Sequence, residues 1–167
     1  MNPLLKPLLN VRKHHAIEHA SLSIMQSKQP GLHLAGYSDL GGFWIIGDVD
    51  TDKMMAAVVE AISRLKAGET ALSIHQNCGT NFTASGLVAG SFAWLGMLGT
   101  GRSFKKQLDR WPMIVMLATL GIIVSQPLGP FLQANVTTDP NIGNIRVKEI
   151  VISKRGAVKA HRFKLGS

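Results

Sequence analysis

This chain has one cysteine, one tyrosine and few aromatics, 6% of its 167 residues. A single thiol, Cys78, rules out an intrachain disulfide and suits a reducing compartment. Charge is missing over long stretches. Asp, Glu, Lys and Arg are absent from Thr70 to Gly101 and again from Pro112 to Ala134. Acidic residues thin out towards the C-terminus. Residues 1–81 carry seven basic and seven acidic side chains, residues 82–134 four and one, and residues 135–167 seven and two. The formal charge of +8 therefore arises in or after the apolar region, a pattern suited to anionic lipid headgroups. The basic tail has one aromatic residue, Phe163, which gives base stacking little to work with and argues against a nucleic-acid partner. The N-terminus does not read as a secretory signal, because Pro3, Lys6 and Pro7 interrupt its leucines. Residues 1–9 read as a short apolar arm, either resting on a membrane surface or mobile.

Two strings rich in metal-ligand residue types stand against that background: His14-His15-Ala16-Ile17-Glu18-His19 and His75-Gln76-Asn77-Cys78-Gly79-Thr80. The spacing predicts a helix from Asn10, as its cap, to about Lys28, ending before Pro30-Gly31. On that helix His15, Glu18 and His19 share an arc of roughly 100°. Val11 and Leu22 lie in the same arc, so the polar groups project into apolar surroundings and need partners there. H-x-x-E-H is the inverzincin arrangement, two imidazole ligands one turn apart with a carboxylate placed to act as a base. The second string offers another imidazole and the thiol three residues apart, with Gly79 allowing a tight turn behind it. His15, His19, His75 and Cys78 together would complete a tetrahedral site. With all four bound the site is closed and structural; with one displaced it keeps an open position served by Glu18. Zinc suits these ligands first, and iron is compatible. His14 points about 100° from His15 and reads as a neighbour. His33 and His161 have no partners in sequence.

The rest of the pattern predicts an α+β fold. Residues 32–37 and 42–49 read as strands joined by a Ser-Asp-Leu-Gly turn. Residues 52–66 read as a helix capped by Asp50 or Thr51 and closed by Gly68. The aspartates at 48, 50 and 52 suit this capping better than cation binding. Residues 70–74 read as a third strand that delivers His75. Residues 82–101 span about 30 Å as a helix, matching a bilayer core, and residues 112–134 form a second such run, kinked by Pro127, Gly129 and Pro130. Gly86 and Gly90 form a G-x-x-x-G step suited to close helix packing. The tail alternates through Ile145, Val147, Ile150 and Ile152, then Val158 to Leu165, as a hairpin turning near Arg155-Gly156. Three parts result: a small mixed α/β domain over residues 1–81 with the metal site, a transmembrane helical hairpin over 82–134, and a basic C-terminal β-hairpin over 135–167.

The strings HHAIEHAS and HQNCGTNF, followed by apolar runs, resemble the YqhQ-type family of bacterial membrane proteins described as metal-dependent enzymes, which show HGAEHK and HPRCGTSF. The chain is more similar still to a smaller uncharacterised membrane family of cyanobacteria and Chloroflexi with HHAIEHA, GDVDT and NCGTN strings. The resemblance covers residues 10–100 or so. It implies His15, His19, His75 and Cys78 as metal ligands and Glu18 beside them, in an integral protein of an inner, plasma or thylakoid membrane. Ala20 stands where the YqhQ-type motif has lysine, so any role of that lysine is absent. Sequence reading leaves two functions open. One is a membrane-anchored metal-dependent hydrolase with Glu18 as base. The other is a non-enzymatic scaffold or assembly subunit with a structural metal or polar core. The partners expected are the lipid bilayer, anionic headgroups at the basic loop and tail, and a second copy or a membrane-complex subunit. A two-span hairpin puts both termini on one side, and the free thiol favours the cytoplasmic one.

Overall fold

A computed structural model describes residues 6–101, 103–155 and 158–166 of the chain. Residues 1–5 of the arm expected over 1–9, and Gly156 of the expected tail turn, lie outside the described residues, while residues 6–9 belong to a helix. The chain divides into two compact units: residues 1–75 with 133–167, and residues 76–132.

The first unit holds α1 (Lys6–Lys28), a hairpin of β1 (Ala35–Asp39) and β2 (Gly42–Ile46), α2 (Thr51–Lys66), and the tail strands β3 (Arg146–Arg155) and β4 (Val158–Gly166). The strands make one antiparallel sheet in the order β1-β2-β4-β3. The basic hairpin expected to stand alone at the C-terminus therefore belongs to the N-terminal unit. The reason is apolar: Phe163 of β4 pairs with Phe43 of β2, and their rings stack at 5.0 Å between centroids. Ile17, Ala20 and Ile24 of α1 and Met54, Val58, Ala61 and Leu65 of α2 complete that core. Fully burying side chains of this size is worth roughly 1.5–3 kcal/mol each.

Three local expectations are corrected. The first helix starts by Lys6, with Asn10 inside it, because Pro7 is compatible with a first helical turn. The two strands of the first hairpin are shorter than expected and turn through Leu40-Gly41, with Asp39 opposite Gly42. Residues Thr70–Ser73 form a 3₁₀ turn rather than a strand. Ser73 Oγ donates to Thr70 O across that turn, and the sheet position a third strand would fill is taken by β4. The second helix is as expected: Asp50 caps it, accepting from the Asp52 and Lys53 N–H groups.

The second unit contains α3 (Gly79–Met97), α4 (Phe104–Asp109), α5 (Trp111–Ser125) and α6 (Leu128–Leu132). α3 packs along α5, but not through Gly86 and Gly90, which have open space around them. The close approaches are at Gly121, where a Cβ would meet Ala89 Cα at 2.8 Å, and at Gly96 against Leu117 and Ile114. Ser125 Oγ donates to Ser85 Oγ across the same pair. Among the described residues no single helix is long and apolar enough to cross a membrane. Trp111–Ser125 and Leu128–Thr137 pass that test only as a bent pair, with the bend where Pro127 was expected to place it. The two full spans drawn from residues 82–101 and 112–134 are thus reduced to one weak, broken candidate. The outward faces are nonetheless apolar, with Phe82 69%, Leu87 71% and Met116 69% exposed.

Candidate metal centre

α1 carries the first string into the core. His15 is half-buried, and Glu18 and His19 are buried. The His15 and His19 rings, one turn apart, lie 4.2 Å between centroids and are tilted by 59°. Each ring is held by a backbone carbonyl. His15 Nδ1 lies 3.1 Å from Thr137 O and His19 Nδ1 lies 2.7 Å from Ser73 O. A carbonyl can only accept, so both Nδ1 atoms carry the proton and each ring presents Nε2 as its lone-pair nitrogen. An imidazole oriented this way is what a metal ligand requires.

Both carbonyls sit on irregular backbone. Ser73 ends the 3₁₀ turn, and Thr137 ends a π-helical turn, Gln133–Thr137, that follows α6. π turns cluster at functional sites because they redirect carbonyls out of the helical ladder. Arg12 Nη2 donates to Asn135 O and Thr138 O, tying that turn to α1. Gln133 is fully buried; its side-chain Oε1 accepts the His75 N–H at 2.8 Å.

Cys78 is the N-cap of α3, and its Sγ accepts from Thr80 N–H at 3.4 Å. A cysteine binds a metal ion as its thiolate. One ligand atom from each of His15, His19 and Cys78 lies within 4.8 Å of the others. A tetrahedral zinc ion spaces its ligands by roughly 3.4–3.7 Å, given bonds of ~2.0–2.1 Å to nitrogen and ~2.3 Å to sulfur. The widest pair in the cluster is therefore at most about 1.4 Å beyond the spacing of a bound ion. Two imidazoles and a thiolate are a donor set that zinc accepts without strain in ligand type.

The other expected residues are placed differently. The His75 ring lies 5.7 Å from that of His19 but is not among the three convergent ligands, and its Nε2 is 3.1 Å from Gln26 Oε1. The Glu18 carboxylate accepts a hydrogen bond from Ser38 Oγ and lies against Gly36 of β1, where any Cβ would overlap it. His14 is a neighbour, as expected: its Nδ1–H donates to Asp39 O at 2.8 Å. Burial lowers the His14 pKa, and that carbonyl offsets part of the effect. For Asp39 the largest influence is burial, which raises its pKa; the Arg162 guanidinium at 2.5 Å and the Gly41 N–H outweigh it and hold the carboxyl below its ordinary value. His33 is exposed, whereas His161 is fully buried, with Nε2 3.0 Å from Thr51 Oγ1. Sequence reading missed Ser73, Thr137 and Gln133. The first two act through backbone carbonyls, which leave no mark in a sequence. Gln133, a polar residue in a charge-free run, was the one available signal.

Fold and cluster define a small α+β protein with a His/His/Cys site able to coordinate a metal ion. The chain belongs to the family described as a domain of unknown function, DUF6391, matched over residues 10–150. It is 29% identical over 166 residues to an uncharacterised protein of Picosynechococcus sp. (strain ATCC 27264 / PCC 7002 / PR-6), covering 89% of this chain and 75% of that protein. That kinship agrees with the expected uncharacterised cyanobacterial family. Neither description names a metal or a reaction, so the likeness to YqhQ-type enzymes rests on the two strings alone. No solved structure matches the chain.

Proposed function

We propose that this chain is a membrane-anchored metal-binding protein in which His15, His19 and Cys78 hold a transition metal ion, zinc first and iron second. The observation that carries this reading is the convergence of the three ligand atoms within 4.8 Å, two of them on rings oriented by backbone carbonyls. His75 is the reserve ligand, 5.7 Å away ring to ring. Exposed apolar side chains along α3 and α5 support the membrane anchor, with both termini in the reducing compartment that a free thiol suits. Mass spectrometry of metal in the purified chain tests the site. Near-stoichiometric zinc or iron in the parent, with most of it lost in His15→Ala and His19→Ala, is the expected result. Equal metal in all three refutes it.

Three protein ligands leave room for substrate, which favours hydrolysis. A bound zinc ion supplies Lewis acidity towards water and towards a carbonyl or phosphoryl oxygen. Glu18, next to His19 in the chain and one turn from His15, would then take the proton from water. A non-enzymatic reading has its own support: the Glu18 carboxylate is already engaged by Ser38 and packed against Gly36, as a structural carboxylate would be. Glu18→Gln separates the two in a screen of ester, amide and phosphoester substrates. A base predicts lost turnover with metal retained. A structural carboxylate predicts a change in stability alone.

A further inference from the structure

The connection between α3 and α5 has a feature that neither the metal site nor a simple apolar anchor explains. Phe104 and Leu108 of α4 and Trp111 at the start of α5 follow a four-then-three spacing and share one side. They are 76%, 59% and 60% exposed, so among the described residues they serve no core. With Met97, Gln107 and Ile114 they line a crevice of about 320 Å³. This is near the lower end of ligand-pocket sizes and suits part of one acyl chain.

The same short connection is cationic. Lys105, Lys106 and Arg110 are exposed, and no ion pair among the described residues neutralises them. Asp109 sits among them and leaves the group net positive. Arg110 is held in place: its Nη1 donates to Leu98 O at 2.6 Å, beyond the end of α3. Gln107 Nε2 donates to Gly101 O at 3.2 Å, which pins α4 across the turn. Tryptophan beside a cluster of lysine and arginine is the composition of a headgroup-level interface.

We infer that this crevice is a binding site for one anionic phospholipid, with an acyl chain against Phe104, Leu108 and Trp111 and the phosphate held by Lys105, Lys106 and Arg110. A zwitterionic lipid supplies the chain but no net charge to match the cations. The apolar flanks of α3 and α5, with Leu87, Met116 and Ile123 exposed, make a bilayer phospholipid the ligand at hand rather than a free fatty acid. The inference rests on the membrane part of the reading above and is independent of the metal.

Trp111 reports on the site. The full chain is reconstituted into phosphatidylcholine nanodiscs containing a small, fixed mole fraction of a lipid with brominated acyl chains, which quench tryptophan on contact. The Trp111 signal is the difference between the parent and Trp111→Phe. Brominated phosphatidylglycerol should quench Trp111 several-fold more than brominated phosphatidylcholine at the same mole fraction. Replacing Lys105 and Lys106 with Gln, on an exposed surface where the fold is not at risk, should abolish that preference and leave quenching by phosphatidylcholine unchanged. Equal quenching by the two phospholipids overturns the site while leaving the anchor intact. Quenching by a brominated fatty acid as strong as that by phosphatidylglycerol overturns the phospholipid assignment. No quenching in wholly brominated bilayers overturns both the site and the membrane reading, and leaves the metal reading to its own test.

Discussion

Glu18 shows how much of the site depends on a residue with no side chain. Its carboxylate occupies the space that a Cβ at Gly36 would need, and Ser38 donates to it. Gly36→Ala forces buried groups apart, a change that typically costs about 1–3 kcal/mol. Denaturant unfolding should show that loss, with a smaller one of about 1 kcal/mol for Ser38→Ala. His161 yields a pH prediction. Burial lowers its pKa, and Lys159 adds to the effect, so the native ring stays neutral where the unfolded one, with a pKa of about 6.5, begins to take a proton. Its contribution to stability is complete above about pH 6.5 and declines as pH falls below it. His14 is shifted in the same direction. His161→Gln should therefore flatten, without abolishing, the fall in unfolding midpoint between about pH 7 and 5. An unchanged slope would remove His161 from the account. The ligand side chains of α1 were legible in sequence because helical spacing alone aligns His15 with His19. Gly36, Ser38 and the carbonyls of Ser73 and Thr137 were not, because they come from chain segments whose approach only the fold decides.

Glycine also decides how α3 and α5 meet, though not the glycines that a motif would choose. Gly86 and Gly90 have open space, so alanine at either removes backbone freedom from the unfolded chain and improves helix propensity. Each substitution should be neutral or stabilising by about 0.5–1 kcal/mol. Gly121 abuts Ala89, so Gly121→Val should pry the helices apart and lower the thermal midpoint of the purified protein by several degrees. The reverse ranking would mean that Gly86 and Gly90 face a partner. The tail strands were legible through their alternation; its one irregularity was not. The spacing slips by one between Val147 and Ile150, and the register shift between Val147 and Glu149 is the bulge that lets both turn towards the core. Residues 70–74 also read as a strand in sequence, yet Thr70–Ser73 form a 3₁₀ turn. Five residues are too few to decide between strand and turn when the sheet already has its neighbour from elsewhere in the chain.

The order of segments along the chain hides the more consequential fact, that β3 and β4 complete a sheet begun some hundred residues earlier. Local periodicity carries no information about such pairings, which is why three parts were expected where two units exist. Truncation after residue 144 removes Phe163 and Leu165 from the core and leaves β2 with an open edge. Loss of two such side chains at roughly 1.5–3 kcal/mol each, together with a ladder of backbone hydrogen bonds, rivals the 5–15 kcal/mol by which domains are usually stable. The shortened chain should be recovered aggregated, while one ending at residue 166 folds. The two ligand strings also come together only in the folded chain, and their convergence is the claim on which the function stands. X-ray absorption at the zinc edge of the metal-loaded protein reads it directly. The account predicts one sulfur at about 2.3 Å with nitrogens at about 2.0–2.1 Å, and loss of the sulfur shell in Cys78→Ser. A spectrum with no sulfur in the parent, or the same spectrum in parent and variant, would contradict it.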